Sequence, residues 1–166
     1  MIRLSYMKIF DSFASLLSKP VSKQISQPVT RHKFATINKS LSLRHVDAGS
    51  CNGCEIEIAS AFGPIYDASR FGTTLVASPR HADGLLVTGV VTENMLEPLN
   101  KAYEATPNPK IVIACGDCAV NGNIFRDGYG VKGTVGDFLN VDVSIKGCPP
   151  HPTDIVETLR GIVDTK

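Results

Sequence analysis

The sequence lacks any run of about 18 apolar residues, so we expect no part of it to cross a membrane by itself. It also lacks a short apolar segment followed by a small-residue cleavage site, which argues against secretion. A protein in a reducing compartment keeps its thiols free, and an odd count of five cysteines does not suit a disulfide framework. These absences favour metal binding as the use of the cysteines.

The net charge of +1 is small, but the charges are distributed unevenly along the chain. Residues 1–40 contain seven Lys or Arg residues and one acidic residue, Asp11, so this arm carries +6. Because the whole chain is +1, residues 41–166 carry −5. A basic arm on an acidic body favours docking to an anionic or membranous surface and argues against recognition of nucleic acid by the body.

We therefore divide the chain into a basic arm with its linker, residues 1–40, and one compact domain, residues 41–166. Within the arm, apolar residues at helical spacing predict an amphipathic helix over residues 1–19, which Pro20 would end. The sequence leaves three roles open for this helix. It is a docking helix for a membrane or a partner, a leader without fixed structure, or a cleaved organellar transit peptide.

Strand patterns and helix patterns alternate along the compact domain. The predicted strands are Leu41–Val46, Thr73–Ala77, Gly84–Gly89, Lys110–Ala114 and Val141–Ile145. The predicted helices are Asn52–Phe62, Glu93–Ala105 and Asp154–Val163. Pro98 indicates a kink or a late start in the second helix, and Thr153 is the expected cap of the third. This alternation predicts an α/β fold, with a mainly parallel sheet and helices on both faces.

Four of the five cysteines lie in loops that directly follow predicted strands. Cys51 and Cys54 form a Cys-x-x-Cys pair after the first strand, whereas Cys118 and Cys148 follow the last two strands. Ligand sites of parallel sheets form beyond the carboxyl ends of the strands, so we expect these four thiolates to meet at one edge. Cys115, at the end of a buried strand, is predicted to be a core residue instead.

Three kinds of site are compatible with these cysteines. An iron–sulfur cluster takes four Cys thiolates, and neighbouring glycines leave room for backbone N–H groups near the sulfurs. A zinc site usually pairs its ligands in two short knuckles, whereas this sequence has a single Cys-x-x-Cys. A thioredoxin-like redox pair would leave Cys118 and Cys148 without a function. The spacing favours the cluster and leaves the other two open.

Several motifs of the chain resemble one known family. These motifs are Asp47–Ile58, Ser78–Asp83, Gly116–Cys118 and Gly147–Pro150. Together they resemble the 20 kDa subunit family of respiratory complex I, which also contains the small subunits of energy-converting, membrane-associated [NiFe] hydrogenases, including formate hydrogenlyase. The resemblance covers roughly residues 41–163. Two cysteines spaced as Cys51-Asn52-Gly53-Cys54, in place of two adjacent cysteines, are similar to the hydrogenase branch.

The resemblance implies a flavodoxin-like fold and one [4Fe-4S] cluster held by Cys51, Cys54, Cys118 and Cys148. It also implies three kinds of partner: a hydrogenase large subunit or its complex I homologue, ferredoxin-like iron–sulfur subunits, and membrane-arm subunits. The expected location is peripheral, on the cytoplasmic face of the inner membrane. The chain would then relay electrons and contribute no catalytic residues of its own.

Three functions remain open at this point. The first is the electron-transfer small subunit of a membrane-bound [NiFe] hydrogenase or hydrogenlyase complex. The second is the cluster-bearing subunit of a complex I-like NADH/quinone oxidoreductase. The third, from a different class, is a zinc-stabilised interaction module without redox activity.

Four charged or titratable residues are weaker candidates for the site. Glu57 matches an acid that follows the first cysteine site in the complex I branch, and it either joins a proton path or serves as an ordinary helix residue. Arg80 and His81 follow a predicted strand, from which we expect them to reach the cluster edge and raise the reduction potential. His81 serves equally well as a structural histidine. Asp117 stands beside Cys118, where its charge should lower the potential.

Overall fold

The computed structural model describes residues 40–164. The predicted helix over residues 1–19 and the rest of the basic arm up to residue 39 lie outside the described residues. The division of the chain at residues 40 and 41 therefore stays a prediction, although the first described strand begins at Leu41.

Two sheets are present within residues 40–164. In chain order their strands are β1 (Leu41–Asp47), β2 (Thr73–Leu75), β3 (Gly84–Thr88), β4 (Val91–Thr92), β5 (Ile111–Cys115), β6 (Val131–Gly133) and β7 (Val143–Ile145). Five of them form a parallel sheet in the order β2-β1-β3-β5-β7, and β4 pairs with β6 in antiparallel fashion. Counted along the chain, the five parallel strands have the order 2-1-3-4-5, which is flavodoxin-like. The predicted fold class is confirmed.

Helices cover both faces of the parallel sheet. They are α1 (Gly53–Ala61), α2 (Glu93–Ala105), α3 (Asp117–Asn121) and α4 (Pro152–Val163). On one face, α1 and α4 bury Ile58 and Leu159 in a single apolar cluster with β1 and β5. On the other face, α2 and α3 bury Leu99 and Ala119. No helix within the described part of the chain is long and apolar enough to cross a membrane.

The two central strands explain why the sheet needs helices on both faces. All five residues of β3 and all five of β5 are buried. Their sequences are continuous apolar runs, which is the pattern of strands in a parallel sheet covered on both sides. Thr88, the last residue of β3, is the polar exception, and it lies at the edge where the cysteines follow.

Four local features differ from the sequence prediction. The antiparallel pair of β4 and β6 was not predicted, and Cys118 lies in helix α3 where the sequence predicts a loop. Helix α4 begins at Pro152, and its cap is His151 rather than Thr153: the Thr153 N–H donates to His151 Nδ1 at 3.2 Å. Proline suits the first helical position because its missing N–H would have no partner there in any case. Helix α2 begins at Glu93, so the late start that Pro98 suggested is wrong. Pro98 removes one backbone hydrogen bond inside the helix, but it does not change the residue at which the helix begins.

Gly84 gives a test of how closely β3 and β5 approach. A Cβ atom at Gly84 would lie 2.4 Å from Ile111 Cγ1 and 2.5 Å from the Ile111 carbonyl oxygen. We expect Gly84→Ala to lower the free energy of unfolding by about 1–3 kcal/mol, because the strands must separate. Gly161→Ala is the matched control, since a Cβ there meets no atom within 4 Å and should add up to about 1 kcal/mol of helix stability. Urea unfolding of both variants measures the difference, and equal effects would contradict the close approach.

Candidate metal centre

The parallel sheet carries three cysteine-bearing loops to the same edge. Cys51 follows β1, and Cys54 lies in the first turn of α1. Cys118 lies in α3, directly after β5, and Cys148 follows β7 by three residues. Parallel strands place all their carboxyl ends at one edge, and neighbouring strands lie about 4.8 Å apart. The strand order therefore brings residues almost 100 positions apart into one region.

Glycine positions show how closely the three loops pack. A Cβ atom at Gly53 would lie 3.6 Å from Cys51 Sγ and 3.8 Å from Pro149 Cβ, so the first loop lies against the residue after Cys148. A Cβ atom at Gly116 would lie 2.4 Å from Cys54 Sγ and 3.6 Å from the Gly147 carbonyl oxygen. The absence of side chains at these two glycines leaves space beside the sulfurs of Cys51 and Cys54.

The thiols also interact electrostatically with one another. Burial, followed by the nearby charge of Glu55 and of the other three thiols, raises the pKa of Cys54 to about 12. Burial, followed by the nearby thiols of Cys148 and Cys51, raises the pKa of Cys118 as well. A metal ion displaces such protons on binding, because ligand thiols bind as thiolates. Without a metal, Cys54 and Cys118 remain protonated at neutral pH.

Exposure divides the four cysteines into two pairs. Cys54 and Cys118 are buried, whereas Cys51 and Cys148 are exposed, and none of them is in a disulfide. Cys115 is completely buried in the apolar cluster beneath α1 and α4, which confirms its assignment to the core. Burial raises the pKa of its thiol too, so that Cys115 behaves as a small apolar side chain.

Two aspartate carboxylates hold the cysteine-bearing loops by accepting hydrogen bonds from backbone N–H groups of those loops. Asp47 Oδ1 accepts from Gly49 N at 2.8 Å and from Ser50 N at 2.7 Å, which closes the turn that leads into Cys51. Asp117 Oδ1 accepts from Gly147 N at 2.9 Å, across 30 residues of sequence. Each carboxylate therefore acts on a loop that bears an exposed cysteine.

A polar group beside Cys54 was not predicted from the sequence. Thr88 Oγ1 donates to Glu55 Oε1, and His45 Nε2 lies 3.0 Å from Thr88 Oγ1 and 3.5 Å from Glu55 Oε1. Burial lowers the pKa of His45, although the charge of Glu55 acts to raise it. The lowered pKa favours the neutral imidazole. This group ties the first turn of α1 to β1 and β3. The available signal was Thr88, a polar residue at the end of an apolar run.

The weaker candidates occupy different places. Glu57 lies half-buried in the middle of α1, and its role stays a prediction. Arg80 and His81 lie in a 3-10 helix just before β3, close to the amino ends of the strands. The cysteines lie beyond the carboxyl ends of the strands. The two ends of β3 are four residue steps apart, which is a distance of about 13 Å. Strand β2 ends early, because its last residue is level with the first residue of β3. The 3-10 helix after β2 therefore lies near the amino ends of the strands, and the expectation that Arg80 and His81 reach the cluster edge is wrong.

Comparison with known proteins places the chain among related subunits. A family model described as NADH ubiquinone oxidoreductase, 20 Kd subunit, matches residues 51–162. The chain is 50% identical over 145 residues to a probable membrane-bound hydrogenase subunit of Pyrococcus furiosus, covering 87% of this chain and 82% of that protein. It is 45% identical over 136 residues to formate hydrogenlyase subunit 7 of Escherichia coli. That match covers 80% of this chain and 53% of the relative, so the chain spans about half of that relative's length.

Similarity extends to a quinone-linked relative and to solved structures. The chain is 46% identical over 107 residues to an NADH-quinone oxidoreductase subunit of Clostridium beijerinckii, covering 64% of this chain and 63% of that protein. A chain of the membrane-bound sulfane sulfur reductase, an archaeal respiratory membrane complex, is 33% identical with a TM-score of 0.66, covering 81% of this chain and 76% of that one. A chain of an NAD+-reducing [NiFe]-hydrogenase shares the fold, with 19% identity, a TM-score of 0.57 and coverage of 74% and 92%.

Gly116 tests the packing at the centre of the site. Gly116 and Gly130 both have positive φ angles, +92° and +78°, so an alanine is strained at either position. Only at Gly116 does the new Cβ meet Cys54 Sγ, whereas at Gly130 it meets no atom within 4 Å. We therefore expect Gly116→Ala to lower the free energy of unfolding by about 1–3 kcal/mol more than Gly130→Ala. Urea unfolding of the metal-free proteins measures this, and equal losses would show that Cys54 does not pack on Gly116.

Proposed function

The chain belongs to the family of the 20 kDa subunit of NADH ubiquinone oxidoreductase, and on this basis we propose that it is the electron-transfer small subunit of a membrane-bound, multisubunit [NiFe] hydrogenase complex of the hydrogenlyase type. In this proposal Cys51, Cys54, Cys118 and Cys148 hold one [4Fe-4S] cluster. The observation that carries the proposal is the convergence of these four free thiols, from three strand ends, at one edge of the sheet.

The arrangement of the cysteines along the chain favours a cluster over a single zinc ion. Structural zinc sites usually pair their ligands in two short knuckles. This chain has one Cys-x-x-Cys pair, whereas Cys118 and Cys148 stand singly in separate segments. An iron–sulfur cluster takes four Cys thiolates and includes family patterns in which single cysteines complete the set.

The set of four cysteines argues against a thioredoxin-like use of the Cys-x-x-Cys pair alone. In such a pair the first, exposed cysteine is the nucleophile and needs the lowered pKa. The second is buried, so the raised pKa of Cys54, to about 12, fits a redox pair and a ligand pair equally. The thiols of Cys118, Cys51 and Cys148 contribute to that raised pKa, which supports a shared role of the four cysteines.

Each part of the chain has a distinct task in this proposal. The cluster, when bound, supplies one-electron transfer at a potential set by its surroundings. The four cysteines donate thiolates, and Gly53 and Gly116 leave space beside Cys51 and Cys54. The apolar layer that includes Cys115 keeps water from the inner side of the site. The exposed outer side, at Cys51 and Cys148, is where we place the electron partner.

The partners follow from the same proposal. The large subunit carries the catalytic [NiFe] centre, and ferredoxin-like iron–sulfur subunits connect this chain to the electron donor. Membrane-arm subunits hold the complex, with this chain peripheral on the cytoplasmic face of the inner membrane. The spaced pair Cys51-Asn52-Gly53-Cys54 and the 50% identity to a hydrogenase subunit support this branch. The 46% identity to an NADH-quinone oxidoreductase subunit supports the second candidate, a complex I-like quinone oxidoreductase.

Alanine substitutions test the cluster and its ligands. We expect the anaerobically purified full chain to contain about four iron and four labile sulfide per molecule. Replacing Cys51, Cys54, Cys118 or Cys148 singly by Ala should remove most of this iron, since each supplies one ligand. Cys115→Ala is the matched control and should keep the cluster, at a stability cost of about 1 kcal/mol. Zinc without labile sulfide in the unmodified chain would end the redox proposal.

Metal analysis of the intact complex separates the two candidate functions. We expect the complex isolated with this chain to contain nickel in about equal amount to the chain, because the large subunit of a [NiFe] hydrogenase binds one such centre. It should also evolve hydrogen with a reduced low-potential dye. A complex without nickel that reduces a quinone analogue would favour the complex I-like alternative. Inductively coupled plasma mass spectrometry and a gas electrode provide the two measurements.

A further inference from the structure

Asp117 and Gly147 exchange two hydrogen bonds at the centre of the site. The Asp117 backbone N–H donates to the Gly147 carbonyl oxygen at 2.8 Å, and the Gly147 N–H donates to Asp117 Oδ1 at 2.9 Å. Asp117 directly precedes Cys118, and Gly147 directly precedes Cys148. The residues that directly precede Cys118 and Cys148 are therefore joined by two hydrogen bonds, one donated by each residue.

The sheet alone does not fix this contact. The last ladder pair between β5 and β7 is Cys115 with Ile145, and the Gly116 N–H then donates to the Ile145 carbonyl oxygen at 2.7 Å. Beyond that point the two chains leave the sheet, and Cys148 lies exposed. Two bonds continue the connection where the strands no longer provide it: the backbone bond from the Asp117 N–H, which any residue could make, and the bond to the Asp117 carboxylate, which depends on this side chain.

Gly147 cannot stabilise this loop with a side chain of its own. Its φ angle is +137°, and a Cβ atom there would lie 2.5 Å from Pro150 Cα and 2.8 Å from Pro150 N. Its N–H, in a half-buried position, also needs an acceptor, because an unpaired buried donor is costly. Asp117 supplies that acceptor, and its charge makes the bond stronger than one to a neutral oxygen.

We propose that Asp117 is a positioning residue that latches the Cys148 loop onto the Cys118 loop, so that both thiolates are presented to the same cluster. This inference rests on the proposed function and adds a role that the charge of Asp117 alone does not explain. Without the latch, the exposed loop of residues 146–150 would sample positions in which Cys148 is too far from Cys118. Outer partners of this kind change metal affinity by about 10- to 100-fold in other metal sites.

The latch and the charge of Asp117 can be separated by two substitutions. D117A removes both the acceptor and the charge, whereas D117N removes the charge and keeps a side-chain oxygen able to accept from Gly147 N–H. D83A is the matched control, because Asp83 Oδ2 accepts from the Ser42 N–H at 2.7 Å in the same chemical manner. That bond lies near the amino ends of β1 and β3, at the edge opposite the cysteines.

The experiment measures iron release from the full chain, purified anaerobically, to an excess of a strong iron(II) chelator. We expect D117A to lose iron about 10- to 100-fold faster than the unmodified chain, and D117N and D83A to lose it at close to the unmodified rate. The midpoint potential, followed by EPR-monitored titration, should become more positive in D117N while its iron release stays slow. Urea unfolding of the metal-free proteins should show similar losses for D117A and D83A, since each removes one carboxylate-to-backbone bond.

The possible results distinguish a failure of the latch from a failure of the proposed function. Equal iron release from D117A and the unmodified, cluster-loaded chain would overturn the latch and leave the proposed function standing. Release from D117N as fast as from D117A would also overturn it, because the accepting oxygen would then not matter. An unmodified chain without iron and labile sulfide would overturn the proposed function itself. If D117A does not fold, D117S provides the same comparison, since its hydroxyl is shorter than the carboxylate that reaches Gly147.

Discussion

The parallel register of β1, β3, β5 and β7 is the constraint on which the candidate metal centre depends. Each pair is aligned so that the carboxyl ends of the strands lie level: Asp47 pairs with Thr88, Thr88 with Cys115, and Cys115 with Ile145. Every cysteine-bearing loop begins at or just beyond this line. If one strand were antiparallel, its loop would leave from the opposite edge. The site therefore exists because the sheet is parallel, and the sheet is stable because helices cover both of its faces.

Burial acts on this site in two directions. It raises the pKa of Cys54 and Cys118, which keeps these thiols protonated until a metal displaces the proton. The same burial makes an unpaired polar group costly, and in the partly buried Cys148 loop the Asp117 carboxylate accepts the Gly147 N–H. Cys54 and Cys118 are buried on the inner side of this region, whereas Cys51 and Cys148 are exposed. In our proposal that division suits a subunit whose electrons must pass to another protein.

Membership of the family is consistent with a fold that serves several redox complexes. The relatives include subunits named for a membrane-bound hydrogenase, formate hydrogenlyase and NADH-quinone oxidoreductase. In our proposal such subunits and this chain share the role of electron transfer, whereas the differing chemistry is supplied by other subunits. The network of His45, Glu55 and Thr88 lies at the cysteine-bearing edge of this chain, where it anchors the first turn of α1 beside Cys54.

The sequence by itself determined the class of fold, the identity of the four candidate ligands and the core position of Cys115. Continuous apolar runs, a Cys-x-x-Cys pair and cysteines directly after strands are local signals that need no tertiary contact to be read. The tertiary structure alone decided the places of Arg80 and His81, the cap at His151 and the pairing of Asp117 with Gly147. The places of Arg80 and His81 depend on where strands end relative to one another, and the Asp117–Gly147 pair spans 30 residues. The His151 cap is a local contact, but it requires the chain to enter α4 with the His151 ring turned to the Thr153 N–H. Local patterns determine which residues form a strand, but only the packed chain determines what lies beside its end.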